Sequence, residues 1–183
     1  MKTVKIKNVL QNGATNSSCV VQGWVRTFRA NRFIALNDGS SIDNLQCVVD
    51  FEALEESLLK QITTSAALQL EGTLVESRGS GQKVELQVEK ITVLGASDPE
   101  KYPIQPKKHS LEFLREKAHL RVRTATFSSV MRIRSALAFA VHEFFQEEGF
   151  FYVNTPIITG SDAEGAGEMF RVSTLDPKKT SLK

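Results

Sequence analysis

The sequence predicts a small, mainly β barrel, then a hinge, then the opening helix and strand of an α+β domain. Three observations predict it. Residues 18–94 alternate short β-branched runs with turn-forming clusters and hold one helical period among them. Residues 95–127 gather prolines and cations with little periodicity. Residues 127–149 carry the strongest helical apolar pattern of the chain.

Composition sets the bounds. The 183 residues are 41% hydrophobic and 24% charged, an ordinary globular balance. No run approaches the roughly 18 apolar residues of a membrane span, and the first residues lack a secretory h-region. Two cysteines, Cys19 and Cys47, lie in separate strand-like segments without CxxC spacing. They read as buried free thiols in a reducing cytoplasm, with no metal site expected.

The barrel elements follow in order. "MKTVKIKNVLQ" reads as a lysine-alternating strand. "SSCVVQGWVRTFRA" and "RFIALNDGS" are strand-like and separated by a polar turn, and "NLQCVVD" follows the turn formers of "DGSSIDN". In "FEALEESLLKQIT", Leu54, Leu58, Leu59 and Ile62 fall at helical spacing. "AALQLEGTLVES" and "QKVELQVEKITVL" flank the glycine turn "RGSGQ". In the latter, Val84, Leu86 and Val88 alternate with Glu85, Gln87 and Glu89, so one face is core and one is wet. Three strands, a helix and two strands within about 80 residues is the order of an OB-fold barrel, a closed sheet whose outer face is a common nucleic-acid platform. An SH3-like barrel lacks that helix.

The remainder divides into a hinge, 99–127, and the start of a second domain, 128–183, leaving 1–98 to the barrel. Ser110 can cap a short helix in "HSLEFLREKAHL". In "FSSVMRIRSALAFAVHEFFQEEG", Val130, Ile133, Leu137, Val141 and Phe144 make one stripe, with Ser128 or Ser129 expected as cap and Gly149 as terminator. Met131, Ala138 and Phe145 make a second stripe, leaving a face for a partner. "FFYVNTPIIT" resumes a β pattern.

Charge is uneven. Between Lys101 and Arg134 lie nine Lys and Arg against two acids, although the whole chain carries only +2. Such a stripe marks a polyanion partner or a solvated linker. On the barrel, an aromatic flanked by arginine and an amide suits an unpaired base, with the ring stacking and the amide reading an edge. Phe33 fits that role or a place in the core, and spacing leaves both open. Trp24, after Gly23 in a strand, reads as core.

"VVQGWVRTFR", "FIALNDGS" and "LQCVVD" resemble the anticodon-binding barrel of the class II aspartyl/asparaginyl-tRNA synthetases. The resemblance implies that Phe33 stacks on the middle anticodon base and Gln46 hydrogen-bonds it. It implies that Arg29 contacts phosphate or base and that Glu85 contacts the first anticodon base. The hinge resembles the segment that meets the tRNA between its two ends. The helix with "GFFYVNTPIIT" resembles class II motif 1, implying a homodimer interface in which Pro156 helps position the partner's active site.

"EGAGEMF" followed by "RVSTLD" resembles the asparaginyl branch of the family. There Glu164 would pair with the α-ammonium of the amino acid, beside small residues that admit close backbone approach. The implied activity is ATP-dependent attachment of asparagine to its tRNA, with ATP and Mg²⁺ as cofactors. The motif 2 and 3 arginines and Mg²⁺ carboxylates lie beyond residue 183 in the family, so the chain reads as an N-terminal fragment without catalytic residues of its own. Two alternatives are a non-discriminating aspartyl enzyme and a standalone OB module for single-stranded nucleic acid.

Overall fold

The computed structural model describes all residues except Met1, Asn31, Phe51, Ala53, Arg78, Ser80, 162–164, 166–169, Arg171 and 176–183. Two compact units, Met1–Ser135 and Ala136–Lys183, divide the chain.

The first unit is built on β1 (Ser18–Arg29), β2 (Phe33–Asn37), β3 (Leu45–Val48), β4 (Ala67–Glu76) and β5 (Val84–Gly95). They close into a barrel in the order β1-β2-β3-β5-β4. Neighbours pair antiparallel except β3 with β5, which run parallel through Cys47↔Leu86 and Val48↔Gln87. Closure leaves no long strand edge to recruit another chain. The period-2 pattern decides which side chains fill the interior: Ile34 and Leu36 from β2, Leu68, Leu70 and Leu74 from β4, Val84 and Leu86 from β5. Each contributes about 1.5–3 kcal/mol by leaving water. Gly72 is required where β4 crosses β5 at a register shift, because a Cβ there would stand 2.0 Å from the Gln87 carbonyl oxygen.

The N-terminal segment is not the expected strand. Only Thr3 makes a bridge, to Val20, and Ile6–Asn12 form helix α1. The Lys5 and Lys7 alternation concealed a second period, in which Ile6, Val9 and Leu10 turn one helical face onto the barrel core. A distant loop then caps the helix. Asp38 Oδ2 accepts from the Ile6 N–H at 3.0 Å, and Ser40 Oγ from the Lys7 N–H at 3.0 Å. These bonds satisfy donors that a first helical turn leaves orphaned.

The helical period after β3 becomes a single turn, α2 (Glu56–Leu59). Leu54 and Leu59 still lean on the core and Ile62 is buried in it. The chain then turns into β4 through Ser65 at φ 71°. After the barrel, Ser110 caps α3 (Leu111–Glu116), its Oγ accepting from the Phe113 N–H at 3.2 Å as expected. A 3-10 turn, Arg121–Arg123, leads into α4 (Ala125–Glu147). Its cap is Thr124 rather than Ser128 or Ser129. Thr124 is extended (φ −80°, ψ 150°), and its Oγ1 accepts from the Phe127 N–H at 3.3 Å. The helix therefore begins earlier than its apolar stripe.

In the second unit α4 ends at Gly149, whose φ of 83° favours glycine. The Gly149 N–H donates to the Gln146 carbonyl and the Phe150 N–H to the Phe145 carbonyl, the double closure of a Schellman motif. The Phe145 and Phe150 rings meet edge-on at 5.5 Å, supplying its apolar contact. The β-patterned segment after Gly149 forms no ladder among the described residues. A strand exists only through a neighbour's hydrogen bonds, and no described segment offers them. Along α4 the stripe residues Ile133, Leu137, Val141 and Phe144 are 55–60% exposed.

Candidate nucleic-acid interface

Phe33, Gln46 and Glu85 sit on three consecutive strands of the barrel, β2, β3 and β5. Buried neighbours fix their direction: Ile34 beside Phe33, Leu45 and Cys47 about Gln46, Val84 and Leu86 about Glu85. With those inward, the period-2 pleat turns the three outward. The register Phe33↔Val48 and Ala35↔Gln46 makes ring and amide diagonal neighbours on one face, a separation of about 7–8 Å. Arg29 is exposed at the end of β1 and pairs in register with Phe33.

Hydrogen bonds hold the polar part. Gln46 Nε2 donates to Glu85 Oε2 at 3.0 Å, and Ser77 Oγ donates to the same oxygen at 3.2 Å. An ionised carboxylate only accepts, so the bond assigns the amide's orientation: its nitrogen faces Glu85 and its Oε1 stays available as an acceptor. The Gln46 backbone N–H donates to Gln82 Oε1 at 3.2 Å, fixing the residue from a second side. Phe33, Gln46 and Glu85 line a cleft of about 650 Å³, with Val48, Val75 and Gln87 as further walls. Arg32 also lines it, with its guanidinium carbon 5.8 Å from the Phe33 ring centroid. The arrangement offers a ring, a positioned acceptor, a carboxylate and two cations to a planar polar ligand.

A second cleft, about 490 Å³, lies between the barrel and the segment 102–125 and holds Trp24, Arg26, Tyr102, Lys107, Lys108 and Arg123. Trp24 is therefore not core. It is 37% exposed, and the Arg123 guanidinium stacks on its ring at 3.9 Å. Arg26 donates to the Arg123 carbonyl. Burial holds Arg26 below the ordinary arginine range, with Tyr102 opposing and the Arg123 charge assisting. The pairing spans 97 residues, so no local pattern reveals it. The cationic stripe that starts at Lys101 partly converges here.

Cys19 and Cys47 are buried free thiols; burial raises the pKa of Cys19 and pushes that of Cys47 well above the ordinary cysteine range. Pro156 is exposed in the unladdered segment after α4. Glu164 lies outside the described residues. Among the described residues no group of three or more His, Cys, Asp or Glu is placed to hold a metal ion. No described helix is long and apolar enough to cross a membrane.

Comparison with known proteins agrees with this architecture. Residues 19–94 match the OB-fold nucleic acid binding domain, and residues 110–182 match tRNA synthetases class II (D, K and N). The chain is thus similar to class II tRNA synthetases, with an OB-fold barrel ahead of a segment that matches the start of their synthetase domain.

Within that class the curated relatives point one way. An asparagine–tRNA ligase of Cytophaga hutchinsonii is 55% identical over 99% of this chain and 40% of its own length. One from Parabacteroides distasonis is 53% identical over 95% of this chain and 38% of its own. The chain thus spans about 40% of the curated relatives it matches. Asparaginyl-tRNA synthetase of Pyrococcus horikoshii, solved with asparaginyl-adenylate, shares the fold with a TM-score of 0.79 at 24% identity. That match covers 94% of this chain and 41% of the solved one.

Proposed function

We propose that the chain is the anticodon-reading part of an asparagine–tRNA ligase, and that the Phe33, Gln46 and Glu85 face receives the unpaired anticodon. The observation that carries this is the Gln46–Glu85 hydrogen bond beside an outward phenyl ring. Ring stacking supplies affinity, and a fixed amide acceptor supplies base choice. Phe33 takes the middle base, Gln46 its edge, Glu85 the first base, and Arg29 a phosphate or base. The cleft of Trp24, Arg26, Lys107, Lys108 and Arg123 takes the tRNA backbone nearer the hinge, where phosphates favour clustered cations.

The remaining assignments follow from the family. Residues 1–98 form the barrel domain, 99–127 the hinge and 128–183 the start of the catalytic domain. The α4 stripe and Pro156 belong to a homodimer interface, and Glu164 pairs with the ammonium of asparagine. ATP and Mg²⁺ are cofactors of the whole enzyme, which works in the cytoplasm. Adenylation needs concentrated positive charge on the phosphates, and the motif 2 and 3 groups are not among these residues. Asparagine-dependent pyrophosphate exchange by the 183 residues alone would contradict that part.

The test is binding of the chain to an asparagine anticodon stem-loop and to the same stem with an unrelated loop. Preference for the anticodon loop supports the reading. Equal binding favours a general single-strand module, the reading that the OB-fold alone would permit.

A further inference from the structure

We propose that Arg32 is the second wall of the base-stacking slot: its guanidinium lies on the face of the bound base opposite Phe33. The proposal rests on the anticodon-barrel reading above and adds a residue to it.

The backbone of Arg32 is pinned from both sides. Its N–H donates to the Arg29 carbonyl at 3.0 Å, closing the β1–β2 connection, and its carbonyl accepts from the Val49 N–H at 2.8 Å. The side chain, by contrast, is exposed, and among the described residues it forms no ion pair within 4.0 Å. A fixed root with an uncommitted planar head is the geometry of a hinged cover.

That head already stands over the ring, with Cζ 5.8 Å from the Phe33 centroid. A base held between two planes needs them about 6.8 Å apart, twice the roughly 3.4 Å of stacked bases. The Cζ-to-centroid distance is of that order, and torsion changes adjust it in a side chain that has no ion pair among the described residues. Arg32 also lines the neighbouring cleft of about 280 Å³, with Asp50 and Glu52. Those carboxylates offer its N–H edge somewhere to point once its flat face is on the base. Guanidinium suits both tasks at once, since it stacks through its plane and donates through its rim. The Lys ammonium has no plane to stack.

The test is a cycle of affinities using the 183-residue chain, wild type, Arg32→Ala, Arg32→Lys and Phe33→Ala. Each is measured against an anticodon stem-loop and against the same loop with the middle base removed to an abasic sugar. Both Arg32 variants are expected to weaken binding of the intact loop about fivefold to tenfold and to leave abasic binding unchanged. Full retention by Arg32→Lys, or an Arg32→Ala loss that persists on the abasic loop, would make Arg32 a charge contact to phosphate and overturn the sandwich. An effect of Phe33→Ala with none from Arg32→Ala would also overturn it while sparing the anticodon reading. No effect from either would remove the anticodon reading itself.

Discussion

Gln46 and Glu85, 39 residues apart in the chain, are joined on the barrel's outer wall by an amide-to-carboxylate hydrogen bond of 3.0 Å. The bond fixes which end of the amide faces a ligand. Gln46→Ala should weaken binding of the anticodon stem-loop by about 1–2 kcal/mol. Glu85→Ala should instead narrow the discrimination between loops, because the amide is then free to turn over. Titrations with paired loops check both. A Glu85→Ala variant with undiminished discrimination would dissociate the carboxylate from base choice.

Phe33 and Ile34 are adjacent but point to opposite sides of the wall, and Ile34 is wholly buried. Ile34→Ala should cost about 2–5 kcal/mol of stability in a denaturant titration. Phe33→Ala should cost about 1–3 kcal/mol of binding instead. Substitutions that exchanged these two effects would place the ring in the core.

Asp38 ties the β2–β3 loop to α1. Burial by itself would raise its carboxyl pKa, but hydrogen bonds from the Ser40 hydroxyl and the Ile6 and Ser40 N–H groups outweigh this and hold it below the ordinary aspartate value. A carboxyl depressed by folding contributes stability in full above its unfolded value of about 3.9. That contribution is lost as pH falls through the lower folded value. Asp38→Ala should therefore cost about 0.5–2 kcal/mol at neutral pH. The variant's deficit should shrink in acid, as read from unfolding midpoints at pH 7 and below pH about 3.5. A deficit independent of pH would remove the carboxylate from the cap.

Gly72 has no room for a methyl group, since the Gln87 carbonyl carbon would stand at 2.9 Å and its oxygen closer still. Gly72→Ala should cost about 1–3 kcal/mol or more through displacement of the β4–β5 register. A thermal melt reads this directly. An unchanged midpoint would mean that the strands part freely there.

What the sequence made legible was what local periodicity carries. The alternation of Val84–Glu85–Leu86 placed Glu85 outside without help, and the apolar stripe from Val130 to Phe144 gave α4. What it concealed was decided across the fold. α1 was hidden because its cap, Asp38, lies 32 residues away. Trp24 reads as core from its own strand because the arginine that covers it arrives only at Arg123. Phe33 was ambiguous because Phe33–Ile34–Ala35–Leu36 offers two apolar faces, and barrel closure chooses between them. Ser128 and Ser129 lost the cap to Thr124 because the preceding 3-10 turn delivers Thr124 extended. The segment after Gly149 has a strand's composition but no ladder among the described residues, and composition cannot supply one.

Whether this face reads the anticodon is decided by the affinity of the chain for two anticodon stem-loops that differ only in the middle base. At least about a tenfold preference for the asparagine loop is expected, abolished in a Phe33→Ala, Gln46→Ala double variant. Equal affinity of the unaltered chain for both loops would contradict it.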